Sequence, residues 1–444
     1  MSGKPTILFD VTRLAIRVTL TSPTGIDRTT EAYAAWLLSR PDVEVLPVCS
    51  WGGLLWPMPR RALEAMLAAK TARLVPSDHA WRRLHAILSG VDTEALRAQA
   101  NSGGKLRASV RRYLPAALRT LVNWRPQPIP AGAIYLNVSH FGLEQPRVLD
   151  RLAARGIASM AMVHDLIPIV HPEFCSPHAA ILHKRRVEAL FRHARLIISN
   201  SQATADACTD FAAQTGARCP PICVAPLGLE TSFLEPSDLA PPARPYFVCV
   251  GTLEPRKNLA FLLTVWTRLA ERLGDDTPPL VLVGQRGWEN EAIIDLLERA
   301  PAVLRHVHEA NGLDDRQLAQ LIRGSRALLA PSFIEGFDLP VAEAIALGTP
   351  VIASDIAVHR ELAAGAQLID PIDGPAWLSA IEQATRIRPA PGPVRRPAWA
   401  DHFDRVAEAM GLPAASKPHA ACGVSELDEI DHRLPWDASC STNA

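Results

Sequence analysis

Two glutamates bracket a tight turn in the stretch SFIEGFDLPVAEAIALGTPVIAS, residues 332–354: Glu335 lies ahead of Gly-Phe-Asp-Leu-Pro and Glu343 follows it. Pro340 suits the first turn of a helix, so the spacing places Glu335 in the loop and Glu343 in the first helical turn, both facing one crevice. Paired acids usually do acid/base work. Beside a helix start they also suit hydrogen bonding to vicinal hydroxyls: Glu343 to a ribose diol and Glu335 to a second polyol, with the Asp338 and Leu339 amides left for a phosphate. The plainer alternative is that Glu343 complements the helix dipole and Glu335 is a surface acid.

Four other turns carry polar chemistry. In VGTLEPRKNL, 250–259, a strand ends at Gly251, and Arg256 and Lys257 stand just ahead of a helix that Asn258 could cap. That makes either an anion site of diphosphate size or a solvated Arg-Lys pair. VGQRGWEN, 283–290, offers Gly284 and Gly287 for close backbone approach and Arg286 for charge, but it is neither a Walker motif nor a full dinucleotide fingerprint. VHDLIPIVHPEF, 163–174, ends an earlier strand with His164 and Asp165. His164 could hydrogen-bond a hydroxyl that Asp165 orients, although a histidine at a strand end is more often structural. The loop SPTGIDRTTEAY, 22–33, adds Gly25, Asp27 and Arg28 to the same crevice, and a glycine turn followed by a capped helix explains these residues equally well.

The elements that must position these turns are short apolar runs alternating with helical patterns, the mark of parallel sheets built from β-α units. The first set is TILFDV (6–11), VEVLPV (43–48), AIYLNV (133–138), IASMAMV (157–163), RLIISN (195–200) and ICVAP (222–226). The second is YFVCVG (246–251), LVLVG (280–284), RHVHE (305–309), ALLAPS (327–332), PVIAS (350–354) and AQLID (366–370). Between them LEPSDLAPPARP, 234–245, is proline-rich and aperiodic and reads as a linker. The predicted architecture is α/β, two doubly wound Rossmann-like domains facing across a cleft. The first spans 1–233 with a basic helical insertion at about 55–130, the second spans 246–412, and 413–444 reads as a disordered tail. In such sheets ligands sit beyond the carboxyl ends of the strands, where the polar turns lie.

Composition narrows the classes of partner. With 46 Lys+Arg against 46 Asp+Glu the chain is neutral, so no nucleic-acid partner is expected. The start MSGKPTILFDV lacks a signal-peptide apolar region, and no apolar run reaches the length of a membrane span, which predicts a cytoplasmic protein. Eight scattered cysteines read as buried free thiols, and Cys219 and Cys223 lack the two-residue gap of a zinc or redox motif. No Asp-x-Asp triplet occurs, and no metal is expected. Local charge is less even: from Arg60 to Arg125 there are thirteen Lys/Arg and four acids, with apolar residues at helical spacing. Such helices could lie peripherally on an anionic inner membrane face, or their apolar stripes could pack on the core of an ordinary insertion.

Taken in order, GTLEPRKNL, VGQRG and PSFIEGFDLPVAEAIALGTPVIAS resemble the sugar-nucleotide half of the retaining GT-B glycosyltransferases of glycosyltransferase family 4, the group 1 glycosyltransferases. The likeness covers about 246–385 and continues more faintly over 157–230 in VHDLIP, IISNSQATADA and VAPLGLE. It implies metal-independent transfer of a hexosyl group of the mannosyl type, with retained anomeric configuration and no permanently bound cofactor. The donor would be a GDP- or UDP-sugar and the acceptor a hydroxyl of a growing lipid-linked saccharide. By the same resemblance Arg256 and Lys257 would bind the donor diphosphate, Glu343 the ribose and Glu335 a donor-sugar hydroxyl. His164 and Asp165 would stand by the donor sugar and the acceptor, with Gly251, Arg286 and Gly25 toward the donor and Asp27 and Arg28 toward the acceptor. Asp338 occupies a position where many members have glycine, so a left-handed backbone there would come at a cost. A GT-B epimerase or a sugar phosphorylase would share the diphosphate site. A non-catalytic partner subunit would have lost crevice charges that are present here, and the missing G-x-G-x-x-G argues against a nicotinamide dehydrogenase.

Overall fold

A computed structural model describes residues 4–17, 24–71, 78–90, 128–240 and 242–413. Strands β1 (Thr6–Asp10), β2 (Glu44–Trp51), β3 (Leu54–Pro57), β4 (Ile134–Asn137), β5 (Ala158–Val163), β6 (Ala194–Ser199) and β7 (Ile222–Val224) form one sheet in the order β3-β2-β1-β4-β5-β6-β7. A second sheet holds β8 (Phe247–Val250), β9 (Leu280–Val283), β10 (Val307–Ala310), β11 (Leu328–Ala330), β12 (Val351–Ser354) and β13 (Gln367–Ile369), in the order β10-β9-β8-β11-β12-β13. Pairing is parallel throughout except for β3, which returns antiparallel along β2. Central strands such as β1 and β9 are buried along their whole length, as helices packed on both faces require.

All twelve strands that the alternation marks are present. The thirteenth, β3, lies inside the stretch read as a helical insertion and starts just after the two-residue turn Gly52-Gly53, which is too short to stand out as a break. In each sheet the strand order reverses beside the first strand, between β1 and β4 and between β8 and β11. The carboxyl ends at these reversals form natural ligand crevices, because the following loops diverge there.

Two helices pack away from the sheet their sequence position suggests. In helix Asp78–Leu88, the residues Trp81, Leu84 and Leu88 join the core that holds Phe233, Tyr246 and Val248, and the Arg244 N–H donates to the Leu88 carbonyl at 3.3 Å. In helix Trp399–Met410, Phe403 and Val406 join the first-sheet core with Ile7 and Tyr33, and Phe403 stacks on Trp36 at 4.6 Å. His402 is fixed there as the neutral imidazole: its Nδ1–H donates to the Ala225 carbonyl at 2.9 Å and its Nε2 accepts from the Tyr33 hydroxyl at 2.8 Å. The continuous unit 246–412 therefore needs amending, since its last helix covers the first sheet. Amphipathic spacing shows that a helix has a partner, not which one.

The basic stretch also changes meaning. The apolar stripe of Asp78–Leu88, and Leu63 in helix Arg60–Thr71, are buried in core clusters, so those faces are not free to enter a bilayer. Residues 91–127 of that stretch, and the tail from 414, lie outside the described residues. Among the described residues no helix is long and apolar enough to cross a membrane and no group of His, Cys, Asp and Glu could hold a metal ion. Six described cysteines are free thiols, Cys208 and Cys249 buried and Cys49, Cys175, Cys219 and Cys223 half-buried, while Cys422 and Cys440 lie outside the described residues.

Candidate functional site

Two loops leave the second sheet at its reversal, one after β8 and one after β11, and they are stitched together. The Phe333 N–H donates across to the Arg256 carbonyl at 2.9 Å, and within the second loop Ser332 Oγ donates to Glu335 Oε1 at 2.9 Å. Gly251 lets the lysine stem lie against the backbone, for a Cβ there would sit 2.9 Å from Lys257 Cε. Glu335, its side chain only 6% exposed, is held between the Arg256 guanidinium and Lys257 Nζ, the latter at 2.6 Å. Arg256 Nε also pairs with Glu254 at 2.5 Å.

On its far side Lys257 Nζ faces Asp338 Oδ1 at 3.5 Å, an oxygen that takes no hydrogen bond, while Asp338 Oδ2 meets His359 Nε2 at 3.0 Å. His359 Nδ1 donates to the Ser354 carbonyl at 2.8 Å. The result is a buried line of alternating charge, from Glu254 through Arg256, Glu335, Lys257 and Asp338 to His359. Burial pushes the carboxyls of Glu335 and Asp338 upward, but the adjoining cations outweigh it and hold both below the usual carboxylate range. Lys257 shows the mirror case: burial favours loss of its proton, and Asp338 and Glu335 overcome that. Removing one member of such a line strands a buried charge, a change that costs about 3–5 kcal/mol.

The opening pair of glutamates is arranged differently from expectation. Asp338 occupies the N-cap position of helix Leu339–Ala346 with φ 63° and ψ 70°, so aspartate does adopt the left-handed conformation, and its carboxylate turns into the charge line instead of capping the helix. Glu343 is consequently the fifth helical residue and lies in the second turn, beyond the reach of the dipole reading, which fades within the first. It is buried, and its Oε1 lies 3.5 Å from Arg28 Nη1, whose other amine pairs with Asp315 at 2.6 Å. Burial pushes the Glu343 carboxyl up to about 7 against the opposing pull of Arg28.

Arg28, assigned by sequence to the acceptor side, therefore reaches across to the other sheet. Its neighbour Asp27 is engaged locally, by Arg13 at 2.8 Å, Arg17 at 2.9 Å and a capping box with Thr24. Gly25 lies under Leu339, with 3.1 Å between an added Cβ and Leu339 Cδ1. Gly336 touches the His164 loop so closely that a Cβ would collide with the His164 carbonyl, and Ser201 Oγ donates to the Gly336 carbonyl at 2.6 Å. His164 is buried, its Nε2–H donating to the Val138 carbonyl at 2.8 Å, and burial lowers its proton affinity. Asp165 Oδ1 accepts from the Ile167 N–H at 3.0 Å.

Two readings require correction. The Arg286 guanidinium is taken up by Glu309 at 2.8 Å and Glu298 at 2.5 Å and is not presented to the anion loops. Asn258 occupies the cap position of helix Leu259–Leu273 at φ 55°, but its Nδ2 donates to the Pro371 carbonyl at 2.8 Å and caps nothing. Sequence reasoning missed His359, which stands 21 residues beyond Asp338 in an ordinary helical run. The one available signal was Asp338 itself, a carboxylate at a helix start that needs a counter-charge.

Residues 244–386 match the family described as Glycosyl transferases group 1. The serotype-specific mannosyltransferase WbdA of Escherichia coli is 30% identical over 243 residues, covering 51% of this chain and 29% of that protein. O-antigen chain mannosyltransferase B of Escherichia coli is 36% identical over 129 residues, covering 29% of this chain and 33% of the relative. The chain thus spans about a third or less of the length of these curated relatives. HepE from Anabaena, solved with UDP and glucose, superposes with a TM-score of 0.57 at 16% identity over 92% of this chain and 99% of its own. Sucrose-phosphate synthase from Thermosynechococcus elongatus gives 0.53 at 17% over 92% and 96%. At those identities the likeness concerns the fold, which is GT-B.

Proposed function

We propose, from the match of residues 244–386 to the family described as Glycosyl transferases group 1, that the chain transfers a hexosyl group, of the mannosyl type, from a nucleotide diphosphate sugar to a saccharide hydroxyl with retention at the anomeric carbon. The observation that carries this reading is the buried Arg256–Glu335–Lys257 cluster at the strand reversal of the second sheet. An ammonium and a guanidinium fixed beside the start of helix Leu339–Ala346 suit a diphosphate, and they stabilise the charge that grows on it as it leaves. The bond between the anomeric carbon and the phosphate oxygen breaks with its electron pair passing to the diphosphate. The acceptor oxygen bonds to the anomeric carbon from the same face, and its proton passes to the departing phosphate.

In this scheme Glu335 accepts a hydrogen bond from a donor-sugar hydroxyl, and Glu343 accepts from the ribose once Arg28 yields it. Asp165 and the His164 loop border the acceptor. The mannosyl assignment and a saccharide-chain acceptor draw on the two Escherichia coli relatives, a mannosyltransferase and an O-antigen chain mannosyltransferase; a lipid carrier for that acceptor and a cytoplasmic-face location are part of the proposal. Among the described residues the apolar stripes of the basic helices are packed, so a membrane contact through those helices would be electrostatic.

Incubation with GDP-mannose, and separately with UDP-sugars, in the presence of an oligomannoside acceptor tests the proposal. Mass spectrometry should detect one added hexose, and the one-bond C–H coupling at the new linkage should report the donor's α configuration. A β-linked product overturns retention, and hydrolysis or epimerisation without transfer overturns the reading altogether.

A further inference from the structure

The carboxylate of Asp338 presents a physical problem. It stands at the N-cap position of helix Leu339–Ala346 without capping it, beside the helix start at which the proposed function places the donor diphosphate, and a negative charge at that point repels a second one. Glycine would serve the left-handed backbone at φ 63° without charge. Aspartate is tolerated only where something cancels it, and Lys257 is shared, nearer to Glu335 at 2.6 Å than to Asp338 Oδ1 at 3.5 Å. His359 offers the alternative. Its ring is fully buried, and both nitrogens face acceptors: Nδ1 the Ser354 carbonyl at 2.8 Å and Nε2 the Asp338 carboxylate at 3.0 Å. A neutral imidazole has one donor, so this pair of partners selects the imidazolium.

We infer that His359 is a positioning residue, an imidazolium that neutralises Asp338 so that Lys257 stays turned toward Glu335 and the donor diphosphate. Asp338, with Glu335 and Lys257 behind it, is the charged surrounding of the ring, and hydrogen bonding to Asp338 raises the imidazole's proton affinity against the opposing effect of burial. Without the imidazolium, Asp338 Oδ1 draws Lys257 Nζ inward from its present 3.5 Å, and donor affinity falls although no donor contact has been removed.

The inference rests on the donor-site reading, and two measurements separate them. The first concerns the ligand-free protein: nitrogen chemical shifts of His359 should show both ring nitrogens protonated at pH 7.5, and Asp338→Asn should return the ring to one proton. A neutral ring in the wild type overturns the inference whatever the protein binds. The second is calorimetric titration with GDP and with UDP. His359→Gln should weaken the better nucleotide roughly tenfold, corresponding to about 1.4 kcal/mol. In the Asp338→Gly background the same change should cost less than twofold, because the charge it served is gone. If His359→Gln costs as much with glycine at 338 as with aspartate, the histidine merely fills its site and the inference is wrong. If neither nucleotide binds the wild type while the imidazolium is present, the donor-site reading fails and takes the positioning role with it, leaving the protonated ring alone.

Discussion

The carboxyl ends of the two sheets touch where Gly336 meets the His164 loop, and the residues around that contact differ in polarity. On the second sheet Glu254, Arg256, Lys257, Glu335, Asp338 and His359 form a dense alternation of full charges. On the first, His140 and His164 are buried with lowered proton affinity, chiefly by desolvation, and Asp165 is engaged by a backbone N–H. Fixed charges suit an anion whose charge increases during reaction, whereas neutral donors and acceptors suit a polyol. The contrast assigns a face to each proposed substrate, and each side can be perturbed separately.

Lys257→Ala should give the largest effect, a fall in kcat of about 10²–10³-fold with weaker nucleoside diphosphate binding, since it removes a donor aimed at developing charge. Unaltered steady-state kinetics would show that the charged face is not where the diphosphate leaves. Glu335→Gln should reduce kcat by about 10²-fold while calorimetry finds nucleoside diphosphate affinity nearly unchanged, because the sugar hydroxyl it is proposed to contact is absent from that ligand. Equal losses in both would move Glu335 from the sugar to the phosphate.

Glu343→Gln should weaken nucleoside diphosphate binding about 10- to 100-fold at pH 8, the loss of a charge-assisted hydrogen bond. With its carboxyl near 7, wild-type affinity should rise from pH 6 to pH 8 and that of the variant should not. A smaller effect is expected across the cleft, where His164→Asn should lower kcat/KM for the acceptor by roughly tenfold and leave nucleotide binding intact. The smallest is in stability. Between the ordinary 4.5 of Glu343 and its folded value of about 7 the native state holds a proton that the unfolded state lacks, so stability falls as pH rises through that window. Urea denaturation of ligand-free Glu343→Gln should show a flatter slope there, and an identical slope would place the shifted group elsewhere.

Much of this arrangement was legible in the chain because strand-forming runs and strand-end turns are local features. TILFDV and LVLVG identify themselves by composition, and Arg256 and Lys257 by their place between a strand and a helix. Less legible were features that depend on distant partners. His359 acquires its meaning from a carboxylate 21 residues earlier, and Arg28 from Asp315, 287 residues away. Arg286 looked available because Glu309 and Glu298, which occupy its fork, lie on other elements. The register of Glu343 was misplaced by less than one turn, the ordinary uncertainty of a helix start, but enough to alter its electrostatic role.

The exchanged helices have a consequence for dissection. Helix Asp78–Leu88 seals the second sheet's core with Trp81, and helix Trp399–Met410 seals the first sheet's core with Phe403. A cut at the proline-rich connection near residue 240 would leave the amino-terminal fragment with a helix whose host is missing and an apolar scar where Phe403 had been; the other fragment would be stripped in the complementary place. Neither piece is a self-contained module, so fragments meant to isolate one substrate's binding should be tested as a co-expressed, recombined pair, with the scars serving as the surfaces that bring them back together.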